Sequence, residues 1–450
     1  MDRLINVDLS HRLGRIKPLT SAVGGPLFGL DLEYDMTEVY KELGVPMVRV
    51  AEIEPPHGAS RYLDIHNLFP DMALDERFPE SFNFEDTDRY LLSIKNAGMD
   101  VFLRLGESLD GYKLAPYTKL PVDPVKYARV LERIIAHYNR GWGGGYKLGI
   151  KYVELWTSPD KWAGLREGRE DYPEFYRIVA NYLKEKHPKL KIGGYSSGGF
   201  YTLNHFGATD EEKGYVPFLE SFLSYISKKD TSAPLDFFTW ELCADSPEGV
   251  VLHSRYAASY LAQYGFTKTE SIISRFSLTS KTLPIDSRAY PSRLAASLIA
   301  AQKSEISRLF LETLDPRSPK NAIFSLDDHR TPHKYAAYKV LYAFGALYRL
   351  GTRAETTDDF RREVYSLAAI GEGGAGLLLV TGDYSGMVEL AIRGETVNSY
   401  SVLGVIGGGS RGVGHSNEEK NIPLASNRLK LRVGKNEVYF ITFDIEPKAE

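Results

Sequence analysis

The sequence predicts a (β/α)8 barrel, also called a TIM barrel, followed by a C-terminal β-sandwich. Strand-like and helix-like segments alternate through the first three-quarters of the 450-residue chain. Eight segments of each kind can be counted, which favours a closed barrel over an open doubly wound sheet. Near Thr352 the hydrophobic pattern changes. Short strand-like runs separated by turns replace the segments with a helical period.

Short apolar runs mark the predicted barrel strands, and amphipathic segments with a helical period lie between them. The strands are predicted at residues 27–32, 47–51, 101–105, 150–156, 190–194, 235–242, 271–276 and 309–312. The helices are predicted at residues 37–43, 86–96, 124–138, 174–186, 216–226, 249–263, 292–302 and 333–350. Proline near several helix starts and glycine after helix ends, as at Gly351, support these boundaries.

The C-terminal part is predicted to be an antiparallel sandwich. Its β runs are residues 364–369, 375–381, 387–392, 396–402, 428–433 and 437–443. The opening segment, residues 4–8, is also strand-like and is expected to pair with them. The predicted domains are therefore the barrel at residues 15–352 and the sandwich formed by residues 1–14 and 353–450.

Composition narrows the possible partners. A net charge of −4 provides no basic surface for nucleic acid or for an anionic membrane. The single cysteine, Cys243, excludes an internal disulfide framework and a multi-cysteine zinc site. The histidines show no ligand spacing, so we expect no metal and no cofactor. The chain has no apolar run of membrane-spanning length and no signal pattern, so a cytoplasmic location is the expectation.

An ordered set of sequence blocks resembles glycoside hydrolase family 39, the β-xylosidase and α-L-iduronidase family. The blocks are GVPMVRV (44–50), DIHNLFPD (64–71), FLRLGES (102–108), HYNRGW (137–142), IKYVELW (150–156), LKIGG (190–194), PLDFFTW (234–240) and YGFTKTES (264–271). The resemblance extends from about residue 15 to the C-terminus. It implies a barrel with an attached sandwich, activity on carbohydrate, and oligomers of the kind that relatives often form.

The departures from the family pattern concentrate at the ends of the barrel strands. The acid/base motif Trp-Asn-Glu-Pro is replaced by Trp156-Thr157-Ser158-Pro159, and Arg275 stands where the nucleophilic glutamate is expected. Retaining hydrolysis needs two carboxyl groups roughly 5–5.5 Å apart. A serine hydroxyl and a guanidinium cannot take those roles. The sequence therefore predicts that the retaining mechanism is absent, as in a pseudoenzyme.

Other carboxylates are predicted to reach the barrel mouth, which is the end of the barrel where the strands have their C-terminal ends. Glu52, Glu107 and Glu241 are candidate catalytic residues, because strand ends share one mouth. Glu241 replaces a family histidine and is the foremost candidate. Two such carboxyls roughly 6.5–9.5 Å apart would suit an inverting mechanism. The alternative is that these carboxylates only neutralise nearby arginines.

The predicted substrate-binding residues are Arg49, Arg104, Trp156, Trp240, Arg275 and Glu312. An arginine can bind the carboxylate of an acidic sugar in a bidentate fork. The tryptophans can stack on sugar rings, with simple core packing as the equal alternative. Arg275 is expected to meet either an anionic ligand or Glu241, and the internal pair is favoured.

Three functional hypotheses remain open at the level of sequence. The first is a carbohydrate-active protein that hydrolyses a glycoside with a rebuilt carboxylate set or binds it. The second is a non-catalytic glycan-binding or assembly subunit. The third and most distant is a serine esterase, suggested by Ser196 in the Gly-Tyr-Ser-Ser-Gly segment at residues 194–198. A homo-oligomer is a further expectation.

Overall fold

A computed structural model provides the structure of the protein. It describes residues 3–29, 32–50, 64–107, 119–162, 164–165, 167–203, 208–278, 283–285, 287–316, 322–327, 330–357, 363–406, 418–424 and 426–446. Glu52, one of the three candidate catalytic carboxylates, lies outside the described residues.

Eight parallel strands close into a barrel, which confirms the predicted fold class. In barrel order the strands are β2 (Ser21–Val23), β5 (Met47–Val50), β6 (Asp100–Leu105), β7 (Tyr152–Leu155), β8 (Lys191–Ser197), β9 (Phe237–Ala244), β10 (Glu270–Leu278) and β11 (Ile306–Leu311). Two short antiparallel pairs decorate the barrel: β3 (Leu27–Phe28) with β4 (Tyr34–Asp35), and β12 (Phe324–Leu326) with β13 (Pro332–Lys334).

Helices follow the barrel strands. The α-helices among the described residues are Thr37–Leu43, Ile65–Leu68, Glu85–Asn96, Pro124–Arg140, Tyr172–Lys186, Tyr215–Ile226, Pro247–Gln263, Tyr290–Gln302 and Ala336–Leu350. Short 3-10 turns lie at Pro79–Ser81, Trp142–Gly144, Arg169–Asp171, Tyr201–Leu203, Glu212–Gly214 and Lys229–Thr231. Within these described helices, none has both the length and the apolar character that crossing a membrane requires.

The predicted position of the first barrel strand was wrong. The apolar run at residues 27–32 contributes only β3, whereas the barrel strand is the shorter segment β2 that precedes it. Gly24 and Gly25 have positive φ values of 72° and 82°, a conformation that ends β2 and separates it from the apolar run. A three-residue strand beginning with serine carries too little hydrophobic pattern to be recognised.

The second structural unit is a nine-stranded sheet. Its strands are β1 (Arg3–Arg15), β14 (Thr352–Thr356), β15 (Val364–Gly371), β16 (Gly374–Thr381), β17 (Gly386–Arg393), β18 (Val397–Ile406), β19 (Glu418–Pro423), β20 (Arg428–Val433) and β21 (Glu437–Ile445). They are hydrogen-bonded in the order β19-β18-β21-β16-β15-β14-β1-β17-β20. Val402 of β18 and Leu429 of β20 lie near opposite edges yet share one apolar core, so the sheet curls around its own interior.

An aromatic layer fills the barrel near the strand beginnings. Phe102 lies at its centre, with ring-centroid distances of 5.0 Å to Phe310, 5.1 Å to Phe237 and 5.2 Å to Tyr152. Apolar side chains of other strands complete this buried layer. Because this end is packed with rings, the polar side chains inside the barrel gather towards the C-terminal strand ends, where binding sites of this fold lie.

Candidate functional site

The loop that follows β7 (residues 157–162, here the β7 loop) forms one side of the mouth. Trp156 and Ser158 have positive φ values of 71° and 44°, and Ser196 at the end of the neighbouring strand β8 has 59°. Left-handed backbone at non-glycine residues costs free energy and persists where surrounding contacts impose it. Ser158 supplies two such contacts: its N–H donates to the Tyr195 carbonyl at 2.6 Å and its Oγ to the Ser196 carbonyl at 2.7 Å.

The side chain of Asp160 anchors the β7 loop to the end of strand β8. This side chain is fully buried, and Oδ2 accepts hydrogen bonds from Ser197 Oγ at 2.7 Å and from the Gly198 N–H at 2.9 Å. The other oxygen, Oδ1, is buried without a hydrogen-bond partner among the described residues. Burial raises the pKa of Asp160 to about 6, although the Ser197 hydrogen bond and the charge of Lys161 act against this rise.

Glu241, on β9, is the carboxylate that faces the β7 loop. Lys161 Nζ donates to its Oε2 at 2.6 Å, and its Oε1 lies 3.4 Å from Ser158 Oγ and 3.5 Å from Ser196 Oγ. Burial would raise the pKa of Glu241, but the positive charges of Lys161 and Arg275 hold the pKa below its usual value. Glu241 is therefore an ionised acceptor near neutral pH.

Lys161 was missed by the sequence reasoning. It lies on a loop without periodicity, two residues beyond Pro159, where the resemblance to the family motif ends. Its only sequence signal is a position five residues after Trp156, close to the end of β7. Lys161 nevertheless supplies the cation that Glu241 requires.

Arg275, on β10, faces Glu312 at the end of β11. The distance from Arg275 Nη1 to Glu312 Oε1 is 3.7 Å, and the two side chains are 30% and 29% exposed. The favoured pairing of Arg275 with Glu241 was wrong in its partner, because the ion pair of Glu241 within the described residues is with Lys161. The two strands nevertheless place Arg275 beside Glu241 in register, so the guanidinium lowers the carboxyl pKa from a distance.

Arg49 forms a deeply buried ion pair with Glu154 inside the barrel. Its Nε and Nη2 donate to Glu154 Oε2 at 2.8 Å and 2.5 Å, and the two side chains are 2% and 0% exposed. Glu154 Oε1 is buried and has no hydrogen-bond partner in the described part of the chain. Arg49 on β5 thus reaches past β6 to Glu154 on β7, with little surface left for a ligand.

Arg104 and Glu107 belong to a second cluster at the end of β6. Arg104 is buried, and its Nη1 donates to the Glu107 carbonyl at 2.8 Å. The Glu107 carboxylate contacts His66 Nε2 at 3.1 Å and accepts from the Lys119 N–H at 3.2 Å. The hydrogen bond to Glu107 raises the pKa of His66. The Glu107 carboxylate is thus held by His66 and by the Lys119 N–H, and Arg104 reaches the Glu107 backbone carbonyl.

Ser196 is not arranged as an esterase nucleophile. The hydroxyl is buried, shares a 2.8 Å hydrogen bond with Ser274 Oγ, and lies 3.5 Å from Glu241. A carboxylate with a lowered pKa is a weak base for a serine hydroxyl. Within the described residues, the Ser196 hydroxyl contacts Ser274 and Glu241 and no histidine, so the geometry does not favour the esterase hypothesis.

The two tryptophans predicted to stack on sugar are both core residues. Trp156 is 1% exposed and its Nε1 donates to the Gly164 carbonyl, while Trp240 is 0% exposed and donates to Ser271 Oγ. Their burial matches the packing alternative that the sequence left open. The β7 loop instead exposes Trp162, whose side chain is 55% accessible to water.

No protein-family model matches the sequence, and no curated protein matches it. Solved structures do match. A glucosidase from Croceicoccus marinus is 20% identical with a TM-score of 0.75, and the match covers 98% of this chain and 99% of that chain. A family 39 β-xylosidase from Caulobacter crescentus is 13% identical with a TM-score of 0.66, covering 98% and 100%.

A xyloglucanase of glycoside hydrolase family 44 from Paenibacillus polymyxa also matches. It is 13% identical with a TM-score of 0.62, and the match covers 98% of this chain and 99% of that chain. All three neighbours carry names of glycosidases. At these identities the likeness establishes the fold, and the chain therefore has a glycosidase-like fold.

Proposed function

We propose that this protein binds carbohydrate at the barrel mouth and does not hydrolyse it by the retaining mechanism. The observation that carries the proposal is the ion pair between Lys161 and Glu241. A general acid must hold a proton at the working pH, whereas the lowered pKa of Glu241 keeps this carboxyl ionised. Glu241 is thus suited to accepting hydrogen bonds from sugar hydroxyls.

A retaining reaction would also need a second carboxyl group opposite the first. Ser158 stands at the family acid/base position, and its hydroxyl is engaged by the Ser196 carbonyl at 2.7 Å. Asp160 has a pKa of about 6, a value suited to an acid, but its side chain lies fully buried beneath the loop. From there it has no route to a glycosidic oxygen. This arrangement supports binding without retaining cleavage.

Descent from glycoside hydrolase family 39 is part of the same proposal. The ordered motifs support it, and so do the names of the structural neighbours, which include family 39 enzymes from Caulobacter crescentus and Xanthomonas axonopodis. The partly exposed guanidinium of Arg275 adds acidic sugars to the candidate ligands. A homo-oligomer, a role as an assembly subunit and a cytoplasmic location remain predictions.

The test combines binding with a search for a covalent intermediate. Neutral and acidic oligosaccharides are titrated by calorimetry into the wild type and into Glu241→Ala. Intact-mass spectrometry follows incubation with 2-fluoro xylosides and glucosides. We expect a glycan to bind the wild type, the variant to bind it at least about tenfold more weakly, and no mass adduct to form. A glycosyl-enzyme adduct, or a wild type that binds none of the glycans, would contradict the proposal.

A further inference from the structure

Trp162 lies on the β7 loop at the mouth of the barrel, and its indole is exposed to water. Of the other tryptophans, Trp156 and Trp240 lie in the core, and Trp142 packs edge-on against Phe82 with a centroid distance of 5.4 Å. Among the four tryptophans, Trp162 is the exposed one, with 55% of its surface accessible to water. Exposing so large an apolar surface forgoes the stabilisation that burial would bring. An exposed indole also offers a large apolar face with a polar N–H, which suits it to contact with a ligand.

The backbone that carries this indole is well anchored. The Trp162 N–H donates to Glu211 Oε1 at 2.6 Å, which ties the β7 loop to the segment after β8. Just beyond the loop, the Leu165 N–H donates to the Lys161 carbonyl at 3.0 Å, and the Leu165 side chain is fully buried. Together with buried Asp160, these contacts fix the chain on both sides of Trp162. An anchored backbone reduces the ordering that the loop must undergo when a ligand covers the indole.

Lys161, the residue before Trp162, connects the exposed indole to the polar side chains of the mouth. Lys161 precedes Trp162 in the chain, and its Nζ is hydrogen-bonded to Glu241. Consecutive Cα atoms are about 3.8 Å apart. A ligand that reaches the Lys161–Glu241 pair with one end therefore passes close to the loop that carries the indole.

We propose that Trp162 is the stacking platform for a second sugar ring of an oligosaccharide whose first ring contacts the Lys161–Glu241 pair. This inference rests on the proposed function and adds the ligand class. Pyranoses whose hydroxyls are all equatorial, of the glucose and xylose type, present flat C–H faces that an indole can cover. The ligand is therefore an oligosaccharide of such units, and a monosaccharide occupies only the polar end of the site.

The test compares short and long probes on matched variants. Xylose, glucose, xylotriose and cellotriose are titrated into the wild type, Trp162→Ala, Trp162→Phe and Tyr342→Ala. Tyr342 is the control, because it is an exposed aromatic residue on the outer helix Ala336–Leu350. We expect Trp162→Ala to weaken trisaccharide binding about tenfold. Trp162→Phe should weaken it less, and Tyr342→Ala should leave it unchanged. Monosaccharide affinity should be the same in all four proteins.

Iodide quenching of tryptophan fluorescence provides a second readout. Trisaccharide should protect the wild type from quenching and should give no protection in Trp162→Phe, since Trp156 and Trp240 are already shielded. A Trp162→Phe variant that keeps this protection would overturn the inference, as would trisaccharide binding by Trp162→Ala at wild-type affinity. In both cases the proposed function stands if Lys161→Met loses binding. A wild type that binds none of the four sugars would overturn the inference, and the proposed function would fall with it only if acidic oligosaccharides also fail to bind.

Discussion

Two arginine–glutamate pairs of the barrel, Arg49–Glu154 and Arg275–Glu312, differ in how deeply they are buried. Arg49 and Glu154 are almost completely buried, whereas Arg275 and Glu312 are each about one-third exposed and 3.7 Å apart. Removing one partner of a buried pair leaves a charge that neither water nor a counter-ion compensates. A partly exposed pair contributes little, because water screens both charges.

We therefore expect Arg49→Ala to lower the free energy of unfolding by about 3–5 kcal/mol. Arg275→Ala should lower it by less than about 1 kcal/mol. Urea denaturation of the two variants beside the wild type measures both values, and each variant is the control for the other. Equal losses of stability in the two variants would show that burial does not govern these pairs.

Asp160 predicts a pH dependence of stability with a defined sign. Its pKa rises from 3.8 to about 6 on folding, so the folded state binds the proton more tightly than the unfolded state. The stability gained from protonation is therefore present below about pH 4 and lost as pH rises to about 6, a change on the order of 3 kcal/mol. Asp160→Asn keeps the shape of the side chain and removes the titration.

The expected result is that the stability of Asp160→Asn relative to the wild type increases between pH 4 and pH 6 and is constant above about pH 7. Urea denaturation of both proteins at matched pH values measures this difference. A difference that is flat from pH 4 to pH 8 would mean that Asp160 titrates normally in the folded protein.

At the scale of elements, the β7 loop depends on one cation. Lys161 lowers the pKa of both Glu241 and Asp160. In Lys161→Ala the burial of Glu241 is no longer opposed by its nearest charge, so the pKa of Glu241 should rise. The variant should be less stable than the wild type at pH 7, and this deficit should shrink as the pH falls and the carboxyls take up protons.

Lys161→Arg is the matched control, because it keeps the positive charge. Thermal unfolding of the three proteins between pH 4 and pH 8 provides the comparison. If Lys161→Ala and Lys161→Arg show the same pH dependence, the charge at this position does not set the ionisation of Glu241.

Most elements could be predicted from the sequence because their hydrophobic patterns are local. The helix Thr37–Leu43 and the strand Arg428–Val433 have the predicted bounds, and the helix predicted at residues 124–138 extends to Arg140. The strands β14 and β19 were not predicted. β19 is mostly exposed and polar, so it carries no apolar run that could reveal it.

The site could be predicted only in part, for a different physical reason. Motif comparison locates positions such as Ser158 and Arg275, since strand ends converge in any barrel. It does not reveal which side chains fill the space around a substituted residue. The contact of Lys161 with Glu241 joins residues 80 positions apart, and the burial of Trp156 depends on helices that pack over it. Such contacts exist only in the folded chain.

At the scale of the whole molecule, one end of the barrel is closed by packed rings and the other carries charged and hydroxyl side chains. Phe102 and its aromatic neighbours close the first end, while Glu241, Lys161 and the serine hydroxyls lie at the second. The curled sheet packs beside the barrel through the helix Ala336–Leu350, which contacts β15 and β16. The chain thus combines a glycosidase-like fold with a mouth lined by charged and hydroxyl side chains.

The most direct test of carbohydrate binding without retaining cleavage is a crystal structure after a long soak with cellotriose or xylotriose. We predict an intact trisaccharide at the barrel mouth, with hydroxyl groups within hydrogen-bond distance of Glu241 and Lys161 and no bond from an anomeric carbon to the protein. A sugar covalently attached to any side chain, or a mouth that holds no sugar at saturating concentration, would contradict this account.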